Sequence, residues 1–454
     1  MKDKFGQSSR SVALGVLQDV FVTKAYANIA LSKRLNESRL SPLDRRLATE
    51  LVYGTVKACG TLDWILGHYI KKALSQTDPM VLNILRLGVY QLYFLDKIPS
   101  SAAVNESVNL AKNFAHQSST GFINAVLRSV LREPEKVRYP NLVKDPVRHI
   151  ALREFHPEWL VRRWLDKLGV EETQALCRFN NETPPLTLRT QTLRISREDL
   201  MEKMTNSGAE VEPSLLAPEG ILCRRMGDEP LRFLREGLCQ AQDESSMLVA
   251  HVVAPKPGEF VIDACAAPGG KSTHLATLMQ NQGRVLAIDI HPHKMSLIED
   301  NRQRLGLSII EAKQLDATEM HLFYALQADR VLVDAPCSGL GVLRRRPDAR
   351  WRKEDSLKEL PELQKKILNS AAQCVKPGGI LVYSTCTLED AENTAIVQQF
   401  LRDHPEFCLD PVGSFLPIPR AESMVTLWPQ RDGTDGFFIA RMSRKAEGVS
   451  TDEN

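Results

Sequence analysis

The sequence has 454 residues, 43% of them hydrophobic and 25% charged, with a formal net charge of +2. That is globular composition, long enough for several domains. No stretch of about eighteen apolar residues suggests a membrane span, and the start, MKDKFGQSSR, lacks the apolar core of a secretory leader.

The nine cysteines are scattered, with no C-x-x-C pair. A disulfide framework or zinc ribbon is not expected, and neither is a metal centre. A reducing, cytoplasmic compartment and a monomer are the expectations. Charge is uneven along the chain. Residues 1–140 hold 19 Lys+Arg against 11 Asp+Glu, a net of +8, and the remainder holds 39 against 45. A basic first third suits a polyanion such as nucleic acid, although a solvated basic face gives the same count.

Residues 1–140 read as a helical bundle. Leu43, Leu47, Leu51 and Val52 keep helical spacing, as do Val81, Ile84, Leu85, Val89 and Leu92. Ser41-Pro42 and Asp78-Pro79 look like helix starts with proline in the first turn. Further helices are expected near 101–114 and 121–132. The proline-bearing segment 133–146 reads as a linker. Residues 147–235 form a small α+β unit. In it His156-Pro157 opens a helix that ends near Gly169. Leu186, Leu188 and Thr190 alternate as in a half-buried strand, and Ser196 with Asp199 resembles a capping box closed by Gly208.

Residues 236–445 alternate strands and helices. Strands are expected at 259–264, 284–289, about 308–315, 329–334 and 379–384, with helices at 271–281, 292–305, 359–375 and 390–402. This pattern predicts an open, mostly parallel α/β sheet, closed by an antiparallel pair in the tail VTLWPQRDGTDGFFIARM.

Ligands in such sheets bind beyond the carboxyl ends of the strands, and each predicted end here carries polar chemistry. The first leads from Asp263 into Cys265-Ala266-Ala267-Pro268-Gly269-Gly270-Lys271. The second ends at Asp289, the third at Asp316, the fourth at Asp334 with Pro336-Cys337, and the fifth at Ser384-Thr385-Cys386. A glycine-rich loop before a helix lets a ligand approach the backbone and free N–H groups. It nearly matches a phosphate loop, but Cys265 stands where the first glycine is required. A carboxylate twenty residues past Gly269, at Asp289, suits ribose hydroxyls. Asp316 suits an adenine amino group, or is a solvated loop carboxylate.

Two thiols at strand ends discriminate between these readings. Carbon 5 of cytosine is a poor nucleophile until a thiolate adds to carbon 6, and a second thiol can help release the product. Lys271 is a candidate for favouring the thiolate. Asp334 is placed to bond a flipped base or a cofactor, or merely caps its turn. Just beyond Cys337, Arg344, Arg345, Arg346 and Arg350 lie beside Trp351. They suit phosphates and a stacked base, or form a basic surface turn.

DACAAPGGK, AIDI, LDAT, DAPCSG and YSTCT, in this order, resemble the Sun family of RNA cytosine-5 methyltransferases, as do QDESS at 242–246 and DGFF at 435–438. The helical first third, with LDRRLATELVYGTV and ILRLGVYQLYFLDKIPSSAAVNESVNLAK, resembles the NusB antitermination factor. The resemblance implies three domains. These are a NusB-like helical RNA-binding bundle over 1–140, the small α+β domain over 147–235 and a Rossmann-like methyltransferase domain over 236–445.

It implies S-adenosylmethionine as cofactor, bound by residues 265–271, Asp289, Asp316 and Asp334. The implied substrate is a cytosine of small-subunit (16S) ribosomal RNA. It also implies that Cys386 is the nucleophile and Cys337 the residue of product release. The rival readings are a phosphate-loop NTPase and a non-catalytic RNA-binding assembly factor.

Overall fold

The computed structural model describes residue 5 and residues 8–227, 231–417 and 419–446. The chain divides into two compact units. One comprises Met1–Thr183 with Leu343–Lys353, the other Pro184–Val342 with Glu354–Asn454. Among the described residues, no helix is long and apolar enough to cross a membrane.

The first unit is helical: α1 (Ser9–Phe21), α2 (Ala27–Glu37), α3 (Pro42–Leu66), α4 (Pro79–Phe94), α5 (Ser100–Phe114), α6 (Ser119–Arg132), α7 (Pro146–Arg153) and α8 (Glu158–Phe179). The helix starts follow their caps. Ser41 Oγ accepts from the Asp44 N–H and Asp78 from those of Met80 and Val81, with proline next in each case. Leu14, Leu17, Leu51, Leu62, Ile65 and Ile84 are fully buried and form the core.

Helix α8 breaks at Gly169, where φ is +77°, and a second helical stretch follows to Phe179. The segment read as a linker is packed into this unit. Tyr139 lies 5.0 Å from the ring of Trp64 and 3.8 Å beneath the Arg153 guanidinium, contacts that prolines and mixed charge do not reveal.

The second unit holds two sheets. The smaller has the order β2-β3-β1-β4 and is antiparallel: β1 (Leu186–Thr190), β2 (Glu210–Pro213), β3 (Gly220–Arg225) and β4 (Cys239–Ala241), with α9 (Arg197–Asn206) and the short α10 (Arg232–Arg235) beside it. Ser196 caps α9 through the Asp199 N–H, and Gly208 takes φ +84° just beyond it.

The larger sheet runs β10-β12-β9-β8-β5-β6-β7, with β11 paired to β12. Its parallel part is β5 (Phe260–Asp263), β6 (Arg284–Asp289), β7 (Ile310–Gln314), β8 (Ala328–Asp334) and β9 (Val375–Thr385). β10 (Phe407–Asp410), β11 (Met424–Leu427) and β12 (Phe437–Arg444) are antiparallel additions. The helices are α11 (Glu244–Val253), α12 (Gly270–Leu278), α13 (Pro292–Leu305), α14 (His321–Tyr324), α15 (Leu360–Cys374), α16 (Thr394–Asp403) and α17 (Pro429–Asp432).

Strand order reverses between β5 and β8, the crevice where open α/β sheets bind ligands. The small sheet is tied to the rim of that crevice by Arg189. Its guanidinium donates to Gln242, to the Gly270 carbonyl at 2.6 Å and to Thr273 Oγ1 at 3.0 Å.

Candidate active site

Parallel register sets the site. Asp334 of β8 pairs with Ser384 of β9, so the two loops that follow leave the sheet side by side. Cys337 Sγ and Cys386 Sγ come to rest 3.3 Å apart. Four further bonds lock the loops together. The Gly341 N–H donates to the Cys386 carbonyl at 3.0 Å, and the Ser338 and Thr387 hydroxyls lie 2.7 Å apart. The Ser338 N–H and Gln364 Nε2 both donate to Glu392 Oε2 at 2.9 Å.

Asp334 stands at the reversal. Its Oδ2 accepts from Lys271 Nζ at 2.8 Å and its Oδ1 from Ser384 Oγ at 2.9 Å. Burial opposes the charge on Lys271. The charge and hydrogen bond of Asp334, with the charges of Cys386 and Asp263, outweigh it and hold the ammonium pKa above its usual value. That coupling is reciprocal, so the same cation favours a thiolate at Cys386. The hydrogen bond to Cys386, then burial, push the Cys337 thiol well up. Either sulfur of the pair could be the donor. Cys265 is likewise raised, by burial and then by Asp263, Asp334 and Asp289, and remains a neutral thiol.

The loop from Cys265 to Lys271 crosses the ends of β5 and β6. The Ala266 N–H bonds the Ile288 carbonyl, and the Ala267–Pro268 peptide is cis. Gly269 has φ +99°, and a Cβ there would lie 3.2 Å from Ile298 Cα, so glycine is required. α12 then begins at Gly270 with no side-chain cap, leaving its first N–H groups facing the crevice. Asp289 ends β6, with Oδ1 bonded to the His291 N–H and Oδ2 3.5 Å from Lys294 Nζ. Asp316 caps the following turn through the N–H and hydroxyl of Thr318.

Asp263 is fully buried. Oδ2 accepts from Ser272 at 2.6 Å, whereas Oδ1 has no hydrogen-bond partner among the described residues. Burial lifts its carboxyl pKa to about 7 against the pull of the Ser272 bond. A buried carboxylate with an orphaned oxygen, an uncapped helix start and the carboxylates at the ends of β6 and β7 fit a nucleoside bearing a positive charge.

The arginine cluster packs within the helical unit. Residues 343–353 belong to the helical unit. Arg350 is fully buried and donates to the carbonyl of Phe155 and to Asn181 Oδ1, both at 2.8 Å, and to the Asn180 carbonyl at 3.2 Å. The Trp351 indole N–H donates to the Val56 carbonyl at 2.6 Å, with its ring against Gly60. Arg344 is buried over the Phe179 ring. Arg345 is half-buried, and Arg346 is exposed beside Tyr26. Arg344, Arg350 and Trp351 thus make packing contacts within the helical unit. A guanidinium that satisfies buried carbonyls and one that awaits a phosphate read alike in a sequence.

Sequence reasoning gave no role to Ser384, Gln364, Glu392 or Asp263. QDESS and DGFF carried a signal whose physical content is now visible. Asp243 caps α11 and also accepts from Thr434 Oγ1 at 3.0 Å, joining the start of α11 to the approach of β12.

A five-stranded parallel core with this order, and the strand-end residues gathered at its reversal, match a Rossmann-like methyltransferase. Residues 250–443 match the family model described as 16S rRNA methyltransferase RsmB/F, 7–132 match the NusB family, and 156–228 match the RsmF/B-like ferredoxin-like domain. The chain is 42% identical to a probable ribosomal RNA small subunit methyltransferase B of Bacillus subtilis, over 96% of this chain and 99% of that one. A second protein of that description, from Synechocystis, is 36% identical over the same shares. A crystal structure of a methyltransferase homolog protein from Pyrococcus horikoshii superposes with a TM-score of 0.57 at 29% identity, covering 66% of this chain and 99% of that one.

The chain therefore belongs to the RsmB/F (Sun) family and is an S-adenosylmethionine-dependent methyltransferase of small-subunit ribosomal RNA. That assignment displaces the phosphate-loop reading.

Proposed function

We propose that the chain methylates carbon 5 of a cytosine in 16S ribosomal RNA through a covalent Cys386 adduct that Cys337 helps to resolve. The observation that carries this reading is the pair of sulfurs at 3.3 Å, one held as a thiol and the other beside the Lys271 cation. The bound cofactor supplies an electrophilic methyl group. Residues 265–271, Asp289 and Asp316 line its crevice, and Asp334 orients Lys271 and is placed for the cytosine amino edge.

The Cys386 thiolate adds to carbon 6, which makes carbon 5 nucleophilic. Once carbon 5 carries its methyl group, its proton leaves to a base and the carbon 6–sulfur bond breaks. The Cys337 S–H then stabilises the departing thiolate. The target base must leave its stack, which costs a few kcal/mol and least in single-stranded RNA. The NusB-like bundle over 1–140 and the small domain over 147–235 are assigned to RNA binding.

The test separates the two thiols. With RNA and cofactor, Cys337→Ala is expected to accumulate an RNA–protein adduct that survives denaturing gels, and Cys386→Ala to form none. The opposite pattern would exchange the roles, and no adduct from either variant would remove the covalent mechanism.

A further inference from the structure

We propose that Glu219, His251 and His274 form a binding site for a zinc-class transition-metal ion, apart from the catalytic crevice. Glu219 lies in the turn ahead of β3, His251 in α11 and His274 in α12, so no sequence spacing announces the group. Their ligand atoms all lie within 4.8 Å of one another. The side chains of Glu219 and His274 are 8% and 1% exposed and that of His251 is 19% exposed.

The contacts have the form of ligands around one centre. His251 Nε2 is 3.1 Å from both oxygens of Glu219. His274 Nε2 is 2.9 Å from Glu219 Oε1, yet neither ring nitrogen of His274 makes a hydrogen bond among the described residues. A short approach without a directed N–H is what two ligands of one ion show, because each lone pair points at the ion and not at its neighbour. Tetrahedral zinc with bonds of about 2.0–2.1 Å sets its ligand atoms about 3.3 Å apart. The two rings meet edge to face, with centroids 5.4 Å apart.

A buried imidazole left unpaired in a native structure calls for an ion, a water or a role.

Two imidazoles and one carboxylate select zinc and its neighbours over magnesium or calcium. The site would staple the β3 turn to α12, the helix whose start forms the cofactor loop.

The full chain, purified with a tag free of histidine, is exposed to excess zinc, desalted and analysed for metal by mass spectrometry. We expect roughly one zinc per chain, reduced at least tenfold in His251→Gln and in Glu219→Gln. A chelator should lower the wild-type Tm and zinc should restore it, while His251→Gln, at the least buried of the three positions and expected to fold, should respond to neither. Wild-type protein that retains no zinc, or a His251→Gln variant that retains all of it, would overturn the proposal. So would loss of the ion in Cys337→Ala/Cys386→Ala alone, which would assign it to the thiols.

Discussion

Asp263 has an unusual balance for a carboxyl group at a strand end. It is fully buried, one oxygen is orphaned, and its pKa is raised to about 7. An unfolded aspartate titrates near about 3.9. The folded protein therefore holds this proton more tightly. The associated stability is fully present below about pH 4 and is lost as pH rises through about 7. Asn mimics the protonated form and does not titrate. Asp263→Asn should gain stability relative to wild type by roughly 2–3 kcal/mol between pH 5 and pH 8. Urea unfolding of both proteins at the two pH values measures this, and parallel curves would show that Asp263 is ionised throughout. Composition marks Asp263 as one more strand-end acid. Only the close packing around it, with Ser272 as its one donor, sets its proton affinity.

At the scale of elements, the strands were readable and the ties between loops were not. The five parallel strands, the β11–β12 pair and the capped helix starts all follow from apolar periodicity and turn residues, which act locally. The edge strand β10, with its exposed Cys408 and half-buried Leu409 and Asp410, has too little pattern to stand out. Strand register brings Cys337 beside Cys386, and that was accessible through the alternation of strands and helices. Glu392 was not. It follows the Ser-Thr-Cys loop as one of several acids in LEDAEN, yet it is 2% exposed and receives the Ser338 N–H and Gln364. Removing it takes away the acceptor of the Ser338 N–H and one of the two acceptors of Gln364 Nε2, which keeps the Pro336 carbonyl, at a cost of about 1–3 kcal/mol. Glu392→Ala should lower stability by that amount and free the Cys337 loop to drift from Cys386. Adduct should then form but resolve slowly, so a time course of gel-shifted RNA should resemble that of Cys337→Ala. Adduct turnover at the wild-type rate would limit Glu392 to a packing role.

At the scale of the whole molecule, the chain leaves the catalytic unit after Val342, contributes Leu343–Lys353 to the helical unit and returns at Glu354. Reading the sequence in order assigns that segment to the loop it follows, whereas its packing contacts lie within the helical unit. The basic surplus of residues 1–140 has an outlet of its own. It lies in the helical unit, where the exposed Lys71 and Lys72 line a cleft of about 610 Å³ with Tyr69 and Phe122, the last 41% exposed. Lysines beside open aromatic rings suit phosphates flanking an unstacked base. Each phosphate contact to a single strand contributes about 0.7 to the slope of log affinity against log salt. The double variant Lys71→Gln/Lys72→Gln should therefore weaken ribosomal RNA binding and flatten that slope by about 1–1.5. It should leave the rate of methyl transfer at saturating RNA unchanged, because the two sulfurs and Lys271 belong to the other unit. Arg350→Ala should do the reverse. It strands the carbonyls of Phe155 and Asn180 and destabilises the helical unit, leaving the salt slope of the folded fraction as it was. Filter binding over a salt series, read beside thermal unfolding, distinguishes the two. A slope unchanged in the lysine variant would move the RNA surface away from this cleft.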